Sequence, residues 1–284
     1  MQTADVRYLE DELAGTGGML LFSRQWLPAA SPPRLILVIA HGFSEHSGRY
    51  DWHARQLAAS GVATFSWDHR GHGRSPGQRG HIDAMSDYRG DVAAQIARAR
   101  GAYGNVPLFL LGHSMGSLIV LDYALRHPEA LRGVATSGAG LEPAGIAKPL
   151  VVATARFFSR IWPRFPLKMQ VDAEDLSTLP EEVAAYNNDP LVHKFGSARW
   201  GCELLDAIAW IKAHAGDLQV PLLMLHGADD RINLPRGSEE FVAAVGSADA
   251  TLKRYPGCLH EVHNDAARDE WLHDLQAWML SNSV

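Results

Sequence analysis

The sequence predicts an α/β domain: a mostly parallel central sheet, doubly wound and flanked by helices, with a helical cap inserted into it. Three observations carry this expectation. Short apolar runs at 34–40, 62–67, 108–111, 133–137 and 220–225 have the composition of strands buried on both faces. Helical patterns alternate with them, which is the rhythm of βα units. The rhythm then fails over about 139–200, where Pro143, Pro149, Pro163, Pro166, Pro180 and Pro190 interrupt apolar helical runs. Strand character is absent there, so 139–200 reads as the cap, and 1–138 with 201–284 as the core.

Residues 6–13 and 18–27 read as two short strands around the turn at Gly15–Gly18. Pro28 to Pro33 connects them to the buried strand at 34–40. That strand ends in the polar loop 41–50, and a helix at about 50–59 stops at Ser60-Gly61. The strand at 62–67 runs into Asp68-His69-Arg70-Gly71-His72-Gly73-Arg74-Ser75, too polar and glycine-rich for regular structure. An amphipathic helix follows at 87–100, then the strand Leu108–Leu111 and the strand Gly133–Ser137. After the cap come a helix at 203–213, the strand Val220–Leu225, a helix at 236–245, the strand Ala250–Tyr255, a loop over 256–264 and a last helix to about 280.

The bulk composition excludes several classes. The chain has 284 residues, 46% hydrophobic and 20% charged, enough apolar material for a large core and too much for disorder. A net charge of −6 leaves no basic field for nucleic acid. Two cysteines, Cys202 and Cys258, make no disulfide framework and suit a reducing cytoplasm. The first residues lack a basic-then-apolar signal pattern, and no stretch reaches the roughly 18 apolar residues of a membrane span.

The chemistry centres on Gly112-His113-Ser114-Met115-Gly116, a Gly-x-Ser-x-Gly sequence. A buried strand precedes it, and Leu118, Ile119, Leu121 and Leu125 follow at helical spacing. Strand, tight turn and helix expose a serine oxygen at a strand tip, with glycines letting neighbouring backbone come close. A serine hydroxyl needs a histidine base, and the base needs a carboxylate. In a doubly wound sheet such groups belong at the carboxyl ends of strands. Asp229 and Asp230 follow the strand at 220–225; His260 and His263 follow the strand at 250–255. The order serine, acid, histidine is that of an α/β-hydrolase. Asp230 is preferred because Gly-x-x-Asp-Arg sets it at the far end of its turn, and His260 because it starts its loop. The oxyanion donors expected on this fold are the backbone N–H groups of Met115 and of Phe43, each worth roughly 3–4 kcal/mol in the transition state.

Five segments together resemble the monoacylglycerol lipases and their lysophospholipase-like relatives among the α/β-hydrolases: His-Gly-x-x-Glu-His-Ser-Gly-Arg-Tyr (41–50), Asp-x-Arg-Gly-His-Gly-x-Ser (68–75), Gly-His-Ser-Met-Gly (112–116), Asn-Asp-Pro-Leu (188–191) and Gly-x-x-Asp-Arg (227–231). The resemblance runs from about 34 to 280. It implies a serine hydrolase with Ser114, Asp230 and His260 as its triad and Phe43 and Met115 as its oxyanion donors. It also implies a polar pocket for a glycerol head that involves Glu45, Arg49, His113, Tyr186 and His263. No cofactor or metal is implied.

Plainer readings stand beside these. Glu45 and Arg49 are four apart and could pair on a surface helix, adding only a few tenths of a kcal/mol. His41, His46, His69 and His72 could suggest a metal, but glycine turns satisfy such histidines by backbone contacts, and the loop 68–75 reads as structural. Leu150, Val151, Val152, Phe157, Phe158, Ile161 and Trp162 are either core beneath the cap or an exposed lip that touches lipid aggregates.

The function expected is hydrolysis of a monoacylglycerol through an acyl-enzyme. The expected partner is a small lipid or ester substrate, with peripheral membrane contact through the cap and a monomer or weak homo-oligomer. The alternatives are a lysophospholipase or general carboxylesterase, and a non-catalytic ligand-binding protein on the same fold. An epoxide hydrolase or dehalogenase would need an aspartate at 114. A peptidase fits the fold, but the loop at 41–46 speaks for esters.

Overall fold

A computed structural model describes residues 6–145, 149–169 and 171–283. The first five residues of the stretch read for a signal pattern, and the side chains of Leu150 and Val151, lie outside the described residues. The hairpin β1 (Val6–Ala14) and β2 (Leu20–Pro28) leads into β3 (Leu35–Ala40), α1 (Asp51–Ala59), β4 (Val62–Trp67) and α2 (Met85–Tyr103). Next come β5 (Leu108–His113), α3 (Met115–Arg126) and β6 (Gly133–Ser137). The following segment holds α4 (Pro149–Ile161), β7 (Pro166–Lys168), α5 (Pro180–Asn188), β8 (Phe195–Ser197) and α6 (Ala198–Ala213). The chain closes with β9 (Leu222–Gly227), α7 (Pro235–Ala244), β10 (Ala250–Tyr255) and α8 (Arg268–Ser281).

Eight strands form one sheet in the order β1-β2-β4-β3-β5-β6-β9-β10. Only the β1–β2 and β2–β4 pairs are antiparallel; the rest are parallel. From β3 the chain first adds β4 on one side and then β5 on the other. The order therefore reverses between β3 and β5, and the loops after those strands flank the crevice that a doubly wound sheet opens at such a point.

Strand alternation distributes the core over both faces. Leu37 and Ile39 of β3, with Phe109 and Leu111 of β5, pack against Leu57 of α1 and Trp271, Leu275 and Met279 of α8. Val38, Ala40 and Leu110 point the other way, towards Tyr88, Val92 and Ile96 of α2, Leu118 and Ile119 of α3, and Ile211 of α6. Truncating one such fully buried leucine to alanine costs about 2–5 kcal/mol.

The segment between β6 and β9 corrects one expectation. It is not free of strands: β7 pairs antiparallel with β8, joining Pro166 to Ser197, Leu167 to Gly196 and Lys168 to Phe195. Three-residue strands are too short to leave a period-two pattern. α6 also begins five residues before the expected 203. Ser197 caps it, its hydroxyl accepting the Trp200 N–H at 3.1 Å. α4 packs on α6, with Arg156 reaching Asp206 at 2.6 Å. Its outer side leaves Phe157 60% and Ile161 62% exposed, and Trp162 just beyond it 56% exposed.

Candidate active site

Ser114 stands between β5 and α3 with φ 51° and ψ −115°, a conformation few non-glycine residues adopt. The turn is fixed from both ends. Its N–H donates to the Ser137 carbonyl at 3.0 Å, and its carbonyl accepts from the Ser117 N–H at 3.0 Å. Side chains at the flanking glycines would collide with backbone: a Cβ on Gly112 would lie 2.3 Å from the Gly116 oxygen, and one on Gly116 2.0 Å from the Ala40 oxygen. The amino end of α3 lies behind the serine and favours negative charge there.

Asp230 follows β9 and is buried, whereas Asp229 is exposed and accepts the Gly257 N–H at 3.1 Å. Asp230 Oδ2 meets His260 Nδ1 at 2.8 Å and His226 Nε2 at 3.0 Å. Its Oδ1 accepts the N–H groups of Ile232 and Asn233 at 2.8 and 3.0 Å. Burial alone would raise its pKa, but the neighbouring His260 and the bonds from His226 and His260 hold it well below the usual carboxylate range. Burial would lower His260 in turn; Asp230 outweighs this and raises its pKa above the ordinary histidine value. This fixes the His260 ring with Nδ1 towards the acid.

The loop after β3 closes on the serine turn. A Cβ on Gly42 would come within 3.3 Å of Ser114 Cβ and 3.1 Å of His113 Cδ2. Phe43, the next residue, lines the same cavity as Ser114, its ring 4.2 Å from that of Trp200. Met115 begins α3, and its sulfur accepts from Trp200 Nε1 at 3.3 Å. The cavity opens above these groups. Ser114, His260, Glu45, His113, Tyr186 and Glu261 are the polar side chains of its lining, and Phe43, Val171, Leu176 and Ile232 the apolar ones.

Residues 31–267 match the family described as serine aminopeptidase, S33. The chain is 36% identical to the monoacylglycerol lipase of Mycolicibacterium smegmatis, over 96% of this chain and 97% of that protein. It is 34% identical to the monoglyceride lipase of Mus musculus, over 94% and 89%. The crystal structure of Paleococcus ferrophilus monoacylglycerol lipase superposes with a TM-score of 0.86 at 31% identity, covering 93% of this chain and 99% of that one. The chain belongs to the monoacylglycerol lipase-like family of α/β-hydrolases.

Within that family frame, not every expected pocket residue reaches the cavity. Glu45, His113 and Tyr186 line it; Arg49 and His263 stand behind them. Burial, with His260 next to it, pushes the His113 ring down to about 3, so it is neutral at ordinary pH. His263 is fully buried, stacked on Tyr50 at 5.2 Å and 4.6 Å from the His113 ring, and burial likewise holds it well below the ordinary value. Glu45 and Arg49 are no surface pair. Burial pushes Glu45 up to about 7 against the pull of Arg49. Its Oε1 accepts the Gly42 N–H at 2.5 Å and the Tyr50 hydroxyl at 2.9 Å.

Three residues at the site were not legible in the sequence. Asn233 Nδ2 donates to the Gly138 carbonyl at 2.8 Å and reaches Ser114 Oγ at 3.4 Å. His226 holds Asp230 and bonds Ser238 Oγ at 2.8 Å through its other nitrogen. Glu261 grips Arg49 with both oxygens, at 2.5 and 2.8 Å. The histidines of the first two loops serve each other: His41 Nε2 accepts the His69 N–H at 2.9 Å, and the His41 and His69 rings lie 4.1 Å apart. Among the described residues no group of His, Cys, Asp or Glu is arranged to hold a metal ion. Asp68, in the second loop, accepts the Ser47 N–H at 2.9 Å and Arg24 Nη1 at 3.0 Å, which ties that loop to the first.

Proposed function

We propose that the protein is a serine esterase that hydrolyses monoacylglycerol to glycerol and fatty acid through an acyl-enzyme. The observation that carries this reading is the meeting of a strained Ser114 and an Asp230-bound His260 on one cavity lined by both polar and apolar side chains. His260 takes the Ser114 proton as the oxygen attacks the ester carbonyl. The N–H groups of Phe43 and Met115 hold the oxyanion. His260 then protonates the leaving glycerol, and water releases the fatty acid by the same steps in reverse. Glu45, His113 and Tyr186 receive the glycerol head, with Arg49 and His263 as their support. The names of the relatives agree with this substrate class.

The segment 139–200 acts as the cap over the core formed by 1–138 and 201–284. Its exposed Phe157, Ile161 and Trp162 form a lip that touches lipid aggregates, and the enzyme works as a monomer or weak homo-oligomer. Among the described residues no helix is long and apolar enough to cross a membrane, so such contact is peripheral for this part of the chain. The test is a comparison of kcat/KM on monoacylglycerols, lysophospholipids and short aryl esters. Monoacylglycerol is expected to lead; a preference for either other class contradicts the substrate assignment.

A further inference from the structure

Beside the histidines, the cavity lining carries two carboxyls, Glu45 and Glu261, and among its described residues there is no lysine or arginine. The guanidinium that both carboxyls face, that of Arg49, is occupied. Its Nη1 and Nη2 bind Glu261 Oε1 and Oε2 at 2.5 and 2.8 Å, and Nη1 also faces Glu45 Oε2 at 3.4 Å. Its Cζ lies 4.9 Å from the centre of the Tyr186 ring. Asn264 Nδ2 donates to Glu261 Oε2 at 2.9 Å and fixes the carboxylate from behind. Such a two-pronged pair is strong and geometrically specific, so Arg49 has little left to offer a ligand.

We propose that Glu261 determines which head groups the enzyme accepts: by locking Arg49 it leaves the head-group end of the cavity with carboxyls and no guanidinium free to pair with an anion, so esters of uncharged alcohols enter and those bearing a phosphate or carboxylate are rejected. The proposal rests on the reading that this cavity receives the alcohol part of an ester. Discrimination arises here from a repulsive element rather than from an added contact. It separates glycerol esters from lysophospholipids, whose phosphate follows the glycerol.

Binding, rather than turnover, tests this independently of catalysis. Octyl glyceryl ether and its phosphate monoester carry the same chain and have no ester to cleave. Calorimetric titration of the Ser114→Ala protein should give a Kd about 100-fold weaker for the phosphate, the size expected of one like charge a few ångströms away in a partly buried site. In Ser114→Ala combined with Glu261→Gln, Arg49 is released, and the gap should narrow by about tenfold or more. Because a gap between two ligands is read within one protein, partial misfolding does not alter it, and Glu261→Ala provides a second variant with the same expected narrowing. Equal affinities in Ser114→Ala, or an unchanged gap when Glu261 is replaced, overturn the proposal and leave the esterase reading intact. A cavity that binds neither ether contradicts both.

Discussion

The loops at the carboxyl ends of β3, β5 and β9 and the surface of α4 differ in how tightly they are determined. Around Ser114, backbone approaches backbone so closely that Gly112 and Gly116 admit no side chain, and Asp230 has four neighbouring donors. α4 rests on α6 by one side and leaves Phe157 and Ile161 open to solvent on the other. Geometry that positions reacting atoms tolerates little change, while an exposed apolar surface, here proposed to meet lipid, needs area rather than register. Substitutions in the two regions should therefore fail in different ways.

The largest effect is expected at the acid. Asp230→Asn should lower kcat about ten-thousand-fold, as loss of the carboxylate that orients a catalytic histidine does elsewhere. The pH profile sharpens this. The neutral His260 ring accepts the serine proton, and Asp230 raises its pKa, so kcat/KM should rise with pH through an inflection above the ordinary histidine value. The residual activity of Asp230→Asn should show that inflection at lower pH. Gly116→Ala comes next: its Cβ meets the Ala40 oxygen at 2.0 Å, and denaturant titration should register a loss of about 3 kcal/mol or more. Asn233→Ala strands the Gly138 carbonyl, and should cost about tenfold in kcat and about 1–2 kcal/mol in stability. The smallest effect belongs to α4. Phe157→Ser or Trp162→Ser should change stability by less than about 0.5 kcal/mol and leave rates on dissolved esters intact, while vesicle sedimentation shows about threefold weaker binding. A large stability loss there would erase the contrast between the two regions.

The parallel sheet was legible because its strands are buried on both faces and read as unbroken apolar runs. The strand ends then nominated Ser114, Asp230 and His260, since a doubly wound sheet brings such ends to one edge. Asp229 and Asp230 differ by one position; the Gly-x-x-Asp-Arg spacing favours Asp230, and the fold turns Asp229 outward and Asp230 onto His260. Asn233, His226 and Glu261 carry no fixed spacing to their partners. Glu261 meets Arg49 across 212 positions, so their pairing exists only in the folded chain. β7 and β8 escaped notice because three residues are too few to show alternation, and the early start of α6 because its capping serine sits among residues of mixed character.

Ser114 as the nucleophile is tested most directly by reaction with a fluorophosphonate followed by mass spectrometry, run beside monoacylglycerol turnover, on the natural protein and Ser114→Ala. One covalent adduct is expected on the peptide that carries Ser114, absent in Ser114→Ala, with a parallel loss of turnover. Full turnover by Ser114→Ala, or an adduct that persists at another residue, would contradict that role.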